Sequence, residues 1–204
     1  MTKRDVKKEL KHLYQPSAKE FSVVKVPSMN FLMIDGHGDP NDNPDFQGGM
    51  DALYGMVYTI KFALKPQGIE FVVPPSEALW WMEDMSEFSM ETKDRWDWTM
   101  MIMQPDEVTR DIVEAARLEL ARKKNPPALS KLRYERYAEG LSVQIMYFGA
   151  YADEGPTIAR MHDFIHDEGY QTNGKHHEIY LGDPRRTAPE KLKTVIRQPI
   201  IQRA

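Results

Sequence analysis

The segment HHEIYLGD, which begins at His176, places an acidic residue among histidines and a tyrosine. Because side chains alternate between the two faces of a strand, His176, Glu178 and Tyr180 are predicted to share one face. Ile179 and Leu181 would lie on the other face, which we expect to pack under helices. A carboxylate opposite the helices is costly unless it is hydrogen-bonded, paired or open to a cleft. Glu178 is therefore the central candidate for a polar site residue. The alternative is a solvated glutamate on an exposed sheet face.

Large aromatic and thioether side chains recur in the other strand-like segments. Trp80 and Trp81 are adjacent and would point to opposite faces, whereas Trp96, Trp98 and Met100 would share one face. If both faces of a sheet carry large rings, one face packs on helices and the other meets a ligand or a partner chain. Rings that face each other across a sandwich or a dimer interface are the alternative. The candidate ligand-binding residues are Trp80, Trp81, Trp96, Trp98, Met100, Tyr147, Glu178 and Tyr180.

An aromatic box with one acidic group suits a flat, apolar and cationic ligand. Ring faces attract a cation and stack on flat molecules, and a partly desolvated carboxylate pairs with delocalised positive charge. The same carboxylate could hold a water molecule and act as a general base, with Tyr147 or Tyr180 donating a hydrogen bond to developing negative charge. Glu178 and Tyr147 are therefore the candidate catalytic residues, and the choice between binding and hydrolysis stays open.

Metal and cofactor sites find little support in the sequence. His162 and His166 have the spacing of one helix face, but no HExxH-type general base accompanies them, and the adjacent His176 and His177 would point to opposite faces of a strand. The DGHGDPNDN segment lacks the spacing of a calcium loop. No glycine-rich nucleotide loop, serine-hydrolase elbow or cysteine is present. We therefore expect no metal and no cofactor.

Composition narrows the partners of the chain. Its 204 residues carry a formal net charge of -4, and charges of both signs are interleaved along the chain. Nucleic acid and anionic membranes are therefore poor candidate partners. No apolar run reaches the length of a signal peptide or of a membrane span, so a cytoplasmic location is expected. The expected partner is a small molecule, and the protein would be a monomer or a homodimer.

The elements that would position these residues alternate between strands and helices. In the first half, residues 46–65 have helical spacing of apolar residues, and strands are predicted at 22–26, 30–34, 70–73, 78–82 and 96–103. A turn-rich loop follows residue 34. A helical connector at 105–140 is predicted to hold two helices, the second at 129–137. The second half would contain strands at 141–151, 176–181 and 194–201, with a helix after the first strand that Pro156 begins and Gly169 ends.

The order strand, loop, helix, strand, strand thus occurs twice. We predict one α+β domain over residues 1–204, made of two pseudo-repeats at about 20–104 and 141–204. Its duplicated β-α-β-β units would form antiparallel sheets with helices on one face and a ligand cleft between the halves. Residue identities match weakly between the halves, so a single α+β domain without duplication is the alternative.

Four segments together resemble one family: MNFLMIDGHGDPN, ALWWMED, WDWTMMIMQP and HHEIYLGDPRRTAPEKLKTVIRQPI. The chain resembles the GyrI-like small-molecule-binding proteins over nearly its whole length. The resemblance implies a duplicated β-α-β-β fold related to the effector domains of multidrug-sensing regulators, in which a glutamate at the position of Glu178 meets cationic drugs amid aromatic rings. A stand-alone subgroup hydrolyses cyclopropane-bearing DNA-alkylating natural products, which makes a detoxifying hydrolase an alternative. No helix-turn-helix region is recognisable, which argues against direct transcription control. A third possibility is an interaction module whose aromatic face docks a partner chain.

Overall fold

The computed structural model describes residues 3–203 and has an α+β fold. The helices are α1 (Val6–Glu9), α2 (Lys11–Tyr14), α3 (Pro44–Leu64), α4 (Arg110–Lys123) and α5 (Gly155–Asp167). The strands are β1 (Ser22–Val26), β2 (Met29–His37), β3 (Ser76–Trp81), β4 (Asp97–Gln104), β5 (Arg133–Tyr137), β6 (Gly140–Phe148), β7 (Tyr170–Thr172), β8 (His176–Tyr180) and β9 (Lys193–Gln202). Short 3-10 turns span Lys65–Gln67, Met85–Glu87, Met90–Arg95, Pro127–Lys131, Tyr151–Asp153 and Pro189–Lys191. Within this described range, no helix is both long enough and apolar enough to cross a membrane.

The described residues divide into two compact units. Unit 1 comprises residues 3–9, Met29–Pro74 and Trp80–Tyr137, and unit 2 comprises Leu10–Ser28, Pro75–Leu79 and residues 138–203. The order β-α-β-β occurs twice along the chain, first as β2-α3-β3-β4 and then as β6-α5-β8-β9 with the short β7 inserted before β8. The predicted α+β class with antiparallel strand pairs is thus confirmed.

In unit 1, β2 lies between β4 and β5 and pairs antiparallel with both. The helix α3 covers one face of these strands. It begins where the side chain of Asn43 accepts a hydrogen bond of 3.0 Å from the backbone N–H of Asp45, and Pro44 fits the first turn because its missing N–H needs no partner there. The helix buries a face made of Gly49, Ala52, Leu53, Met56, Val57, Ile60 and Leu64. This spacing is the helical periodicity that predicted α3.

Two glycines allow the helix and strands of unit 1 to approach closely. Gly36 on β2 lies opposite Trp98 on β4, and a Cβ at Gly36 would overlap the indole ring. Gly49 on α3 faces Met100, and a Cβ there would collide with the Met100 methyl group. The strand β2 therefore extends to His37, three residues into the segment that turn chemistry predicted to be a loop.

In unit 2 the strand order is β1-β6-β9-β8, all antiparallel, and β7 pairs with the far end of β9. The helix α5 packs on one face of this sheet. The apolar core there consists of Val143, Ile145, Met161, Ile165, Ile196 and Ile200. Within this unit, the first part of β3 is the neighbour of β8.

Two predicted elements are wrong. Residues 129–137 were predicted to form a helix, but the structure has a 3-10 turn followed by β5, which pairs with β2. The sequence RYERY alternates in polarity, and its tertiary partner β2 favours the strand over the weak helical spacing. Residues 70–73 were predicted to be a strand, but only Phe71 forms an isolated bridge, with Arg4. The two prolines that follow cannot donate to a ladder and limit pairing there.

Candidate functional site

Three of the candidate residues lie on one face of the sheet in unit 2. Tyr147 on β6 is opposite Thr194 on β9, and Thr194 is opposite Tyr180 on β8. Directly opposed residues in antiparallel strands point to the same face, and Glu178, two residues before Tyr180, shares that face. The structure therefore brings Glu178, Tyr180 and Tyr147 together on one surface of unit 2.

The helix of unit 2 lies on the face opposite to the one predicted. Glu178 is in register with Ile196, which is in register with Ile145. Both isoleucines belong to the core that includes Met161 of α5, so α5 covers the face that carries Glu178. The prediction placed the helices over Ile179 because Ile179 and its neighbour are aliphatic. Alternation identifies which residues share a face, but it does not identify which face a helix covers.

Glu178 is a partly buried carboxylate with two polar neighbours on its own strand. The hydroxyl of Tyr180 donates a hydrogen bond of 2.7 Å to Glu178 Oε2, and His176 Nε2 lies 3.3 Å from Glu178 Oε1. Only 14% of the Glu178 side chain is exposed. Burial works against the ionised form, but the contacts with His176 and Tyr180 outweigh it and hold the pKa of Glu178 below its ordinary value. Glu178 is thus an anion at neutral pH.

A second carboxyl group, that of Glu154, lies beside Glu178. Glu154 immediately precedes α5 and is almost fully buried. Burial, and secondly the charge of Glu178, raise the pKa of Glu154 to about 9. At neutral pH Glu154 is therefore protonated, and it shares a hydrogen bond with the Glu178 carboxylate.

Sequence reasoning missed Glu154. It identified the start of the helix from Pro156 but gave the acidic residues before it no role beyond the helix terminus. A signal was available, because a glutamate that follows Gly149 at a strand-to-helix loop lies near the end of its strand, where site residues often occur. What the sequence does not give is the burial of this carboxyl group, and that burial sets its protonation state.

The two carboxyl groups can act as an acid and base pair. Opposed protonation states on neighbouring carboxyl groups are typical of sites that donate one proton and accept another. The side chain of Thr194 on β9 also hydrogen-bonds with Glu154 and favours its ionised form, but burial and the charge of Glu178 outweigh this effect.

Tyr147 is held by the loop that joins β6 to α5. Its hydroxyl donates a hydrogen bond of 3.1 Å to the carbonyl of Ala150. Gly149, between them, has a φ of 149°, and a Cβ there would collide with the Tyr147 hydroxyl. The Tyr147 hydroxyl is therefore fixed in place, and its oxygen can still accept a hydrogen bond. In the same loop, Tyr151 packs edge to face on the ring of Tyr180, with ring centroids 5.3 Å apart.

The tryptophans lie in unit 1, where Phe46 of α3 links three of them into one cluster. The Phe46 ring stacks on Trp80 at 6.0 Å and meets Trp98 edge-on at 5.2 Å. Trp96 meets Trp80 edge-on at 5.6 Å, and Phe88 stacks on Trp96 at 4.4 Å. The indole Nε1 of Trp96 is buried and has no hydrogen-bond partner among the described residues. Trp96 can therefore donate to an acceptor on a ligand or to water.

Trp98 and Met100 belong to the apolar core of unit 1. Both are almost completely buried, and both pack beside the two glycines described above, on the side of α3. The Trp98 Nε1 donates a hydrogen bond of 3.2 Å to the carbonyl of Gly38. Trp81, next to Trp80 on β3, points to the other face and is partly exposed. A ligand-binding role for Trp81, Trp98 and Met100 stays a prediction.

On the opposite face of β8, a buried network of charged groups holds the strand. His177 makes contacts of 3.0 Å with Glu77 and 2.9 Å with Glu139. Arg197 donates to the second oxygen of Glu139 at 3.1 Å, and Tyr14 donates to Glu77 at 2.8 Å. Burial lowers the pKa of His177, but the two carboxylates outweigh this effect and raise the pKa to about 9. His177 is thus a cation at neutral pH, and two positive and two negative groups balance each other.

Within residues 3–203, no group of three histidine, aspartate or glutamate side chains is arranged to hold a metal ion. His162 lies on α5 with His166 one turn later, as the spacing indicated. Burial lowers the pKa of His162, so this residue is neutral at neutral pH.

Comparisons with known proteins agree with this fold. Residues 19–201 match the GyrI-like small molecule binding domain. An uncharacterised conserved protein from Listeria innocua is 41% identical, with 98% of this chain and 100% of that chain covered and a TM-score of 0.91. A structure of a hydrolase from the same organism has the same identity and coverage and a TM-score of 0.86. The C-terminal domain of EcmrR is 10% identical, covers 90% of this chain and 98% of that chain, and has a TM-score of 0.56, a likeness of fold. A comparison with curated proteins finds no match.

Proposed function

Because the chain belongs to the GyrI-like family of small-molecule binding domains, we propose that it is a hydrolase of flat, apolar electrophiles that carry a strained ring. One feature carries the proposal: Glu154 and Glu178 lie side by side, and their surroundings raise the pKa of Glu154 to about 9 and hold the pKa of Glu178 below its ordinary value. Binding a cationic ligand needs no more than one carboxylate, whereas the addition of water across a bond needs both a base and an acid.

In the proposed reaction, Glu178 takes a proton from a water molecule while the water oxygen forms a bond to a carbon of the strained ring. The ring carbon–carbon bond breaks, and its electron pair moves to a conjugated carbonyl oxygen of the substrate. That oxygen takes the proton of Glu154. The product is the substrate plus one water, and the proton on Glu178 returns to Glu154 through their shared hydrogen bond.

One comparison and the resemblance seen in the sequence support the choice of reaction and substrate class. A Listeria innocua protein described as a hydrolase is 41% identical over nearly the whole chain. The resemblance to proteins that hydrolyse cyclopropane-bearing natural products indicates a conjugated cyclopropane as the strained ring. The tyrosines beside Glu178 offer ring faces and edges on which a flat molecule can stack.

A second candidate function is the binding of lipophilic cations without turnover. The observation that favours it is the low pKa of Glu178 in a partly buried site next to aromatic rings, because such an anion pairs with delocalised positive charge. In this candidate, Glu154 would only share a proton with Glu178.

A comparison of three variants with the wild type separates the two functions. Glu178→Gln and Glu154→Gln each keep the shape of the side chain and remove one acid or base, and Glu168→Gln changes an exposed glutamate just after α5 as a matched control. Each protein is incubated with a conjugated cyclopropane compound, and the product is followed by mass spectrometry, while binding of a flat cationic dye and of its neutral isostere is followed by the fluorescence anisotropy of each dye.

Hydrolysis predicts a water adduct with the wild type and Glu168→Gln, and a rate lower by about 10²-fold or more with each of the other two variants. If the compound stays intact with the wild type, and Glu178→Gln weakens binding of the cation far more than that of the neutral isostere, the chain is a cation-binding module. If Glu178→Gln weakens the binding of both dyes equally, Glu178 has no electrostatic role in binding.

A further inference from the structure

The helix α3 carries a stripe of aromatic rings on the side that faces away from its core. Tyr54, Tyr58 and Phe62 follow one another at intervals of four residues, with ring centroids 6.4 and 6.2 Å apart. Tyr58 is 45% exposed and Phe62 is 63% exposed. The rings therefore form a continuous apolar surface on unit 1, well separated in the sequence from the carboxyl groups of unit 2.

A charged residue stands at each end of this stripe. Asp51 precedes Tyr54 by three residues, and Lys65 follows Phe62 by three residues. Both charged residues are exposed. Within the part of the chain that the structure describes, neither forms an ion pair, and Asp51 accepts a hydrogen bond of 3.1 Å from the side chain of Gln47 one turn earlier. Lys65 keeps helical backbone angles, so the helix geometry extends to it. At 100° per residue, the five side chains fall within an arc of about 80° and a length of about 21 Å.

The stripe is complementary to itself. Its spacing is three, four, four and three residues, which is symmetric about Tyr58. If a second helix α3 lies antiparallel across it, with a two-fold axis at Tyr58, then Phe62 meets Tyr54 of the other copy and Lys65 meets Asp51. The apolar rings are then covered, and one ion pair between Asp51 of one copy and Lys65 of the other forms at each end of the stripe. A parallel arrangement would place like charges together.

We propose that α3 is an interface at which two copies of this chain form an antiparallel, two-fold symmetric dimer. The charged pairs select the partner and the orientation, and the rings supply the buried area. A single helix face of this length covers less than the roughly 800 Å² per partner of a standard interface. The dimer is therefore expected to be weak, and its population rises with protein concentration.

The test is sedimentation velocity of the intact chain over a range of concentrations. The wild type, with a chain mass of 23.7 kDa, is expected to shift from monomer to dimer as its concentration rises. Asp51→Lys and Lys65→Asp should each weaken self-association by about tenfold or more, because each brings two like charges together at both ends. Phe62→Ser should abolish it. Leu118→Ser removes an apolar side chain on α4 that is even more exposed than Phe62, and it should have no effect.

Two charge-exchange results identify the antiparallel arrangement. The double variant Asp51→Lys with Lys65→Asp should regain the wild-type association, and an equimolar mixture of the two single variants should form a heterodimer. A wild type that stays monomeric at every concentration would overturn the proposal. So would a dimer that Phe62→Ser leaves unchanged, or single variants that neither the double variant nor the mixture rescues. All of these substitutions are on the exposed side of the helices, and circular dichroism checks that each variant is folded.

Discussion

Glu154 and Glu178 have the same chemistry, and their surroundings hold them in opposite protonation states. Glu178 has a tyrosine hydroxyl at 2.7 Å and a histidine nitrogen at 3.3 Å, which stabilise its charge. Glu154 is buried and faces that charge, so its proton stays on. The protonation state of each residue thus follows from its contacts rather than from its type.

The rate of hydrolysis should therefore depend on pH through both groups. Glu154 must be protonated to act as the acid, and its pKa is about 9, so kcat/KM of the wild type is expected to fall as the pH rises through 9. Glu154→Gln should lower the rate and remove this alkaline limb, as measured by kcat/KM between pH 6 and about pH 10. An unchanged alkaline limb in the variant would assign it to another group.

The hydrogen bond from Tyr180 helps to keep Glu178 ionised. Tyr180→Phe removes this bond but keeps the ring, so the pKa of Glu178 should rise towards its ordinary value. The acid limb of kcat/KM is then expected to move to higher pH, with the plateau rate changed less. Tyr170→Phe, on the short strand β7, is the matched control. If the acid limb does not move with Tyr180→Phe, the hydroxyl does not support the base.

At the scale of elements, the sequence predicted those segments whose periodicity is strong. The helix α3 was predicted within two residues at each end, because its apolar spacing is strong and Pro66 and Gly68 follow it. The helix prediction for residues 129–137 was wrong, because the conformation of this segment depends on pairing with β2, which is distant in sequence. The side on which α5 packs also depends on tertiary structure. Alternation grouped Glu178 with Tyr180 correctly, but it placed the helix over Ile179.

The loop between β6 and α5 holds Tyr147 and Glu154 in place, and Gly149 is its tightest point. Gly149→Ala should push the Tyr147 hydroxyl away from Ala150 and strain the backbone, because the φ of 149° is unfavourable for alanine. Because Tyr147 lies on the same face as Glu178 and the loop leads to Glu154, we expect a shift of this loop to lower hydrolysis by about tenfold. Activity measured together with thermal unfolding checks this.

Gly140→Ala provides the control for this loop. Gly140 also has a positive φ, of 83°, but a Cβ there would contact nothing within 4 Å. Its substitution should cost stability of about 1 kcal/mol with little change in the rate. Equal losses of activity in both variants would indicate that backbone strain alone, and not the position of Tyr147, is responsible.

For the molecule as a whole, the buried groups Glu154 and His177 make the free energy of unfolding depend on pH in the alkaline range. The folded pKa of both Glu154 and His177 is about 9, above their ordinary values of 4.5 and 6.5. Folding therefore takes up protons at intermediate pH, and the free energy of unfolding falls as the pH rises towards 9.

Glu139 links stability to acid pH. Its pKa is lowered to about 2, because the charges of His177 and Arg197 outweigh the effect of burial, so stability also falls as the pH drops below about 4.5.

His177→Gln tests the contribution of the buried charged network to stability. The substitution leaves Glu77 and Glu139 buried without their shared cation, and we expect a loss of about 3 kcal/mol in the free energy of unfolding at pH 7. The loss should shrink above pH 9, where the wild-type histidine is neutral as well. Urea unfolding at pH 6, 7 and about 9.5 measures it, with His166→Gln on the exposed side of α5 as the control. A loss that does not vary with pH would contradict a charged His177.

The most direct test of the account is single-turnover hydrolysis of a conjugated cyclopropane compound in water labelled with oxygen-18. Attack by a water held by Glu178 predicts a ring-opened product that carries one labelled oxygen on the former ring carbon, formed by the wild type and not by Glu178→Gln. Recovery of the intact compound after long incubation with the wild type, or a product that forms equally fast with Glu178→Gln, would contradict the proposed reaction.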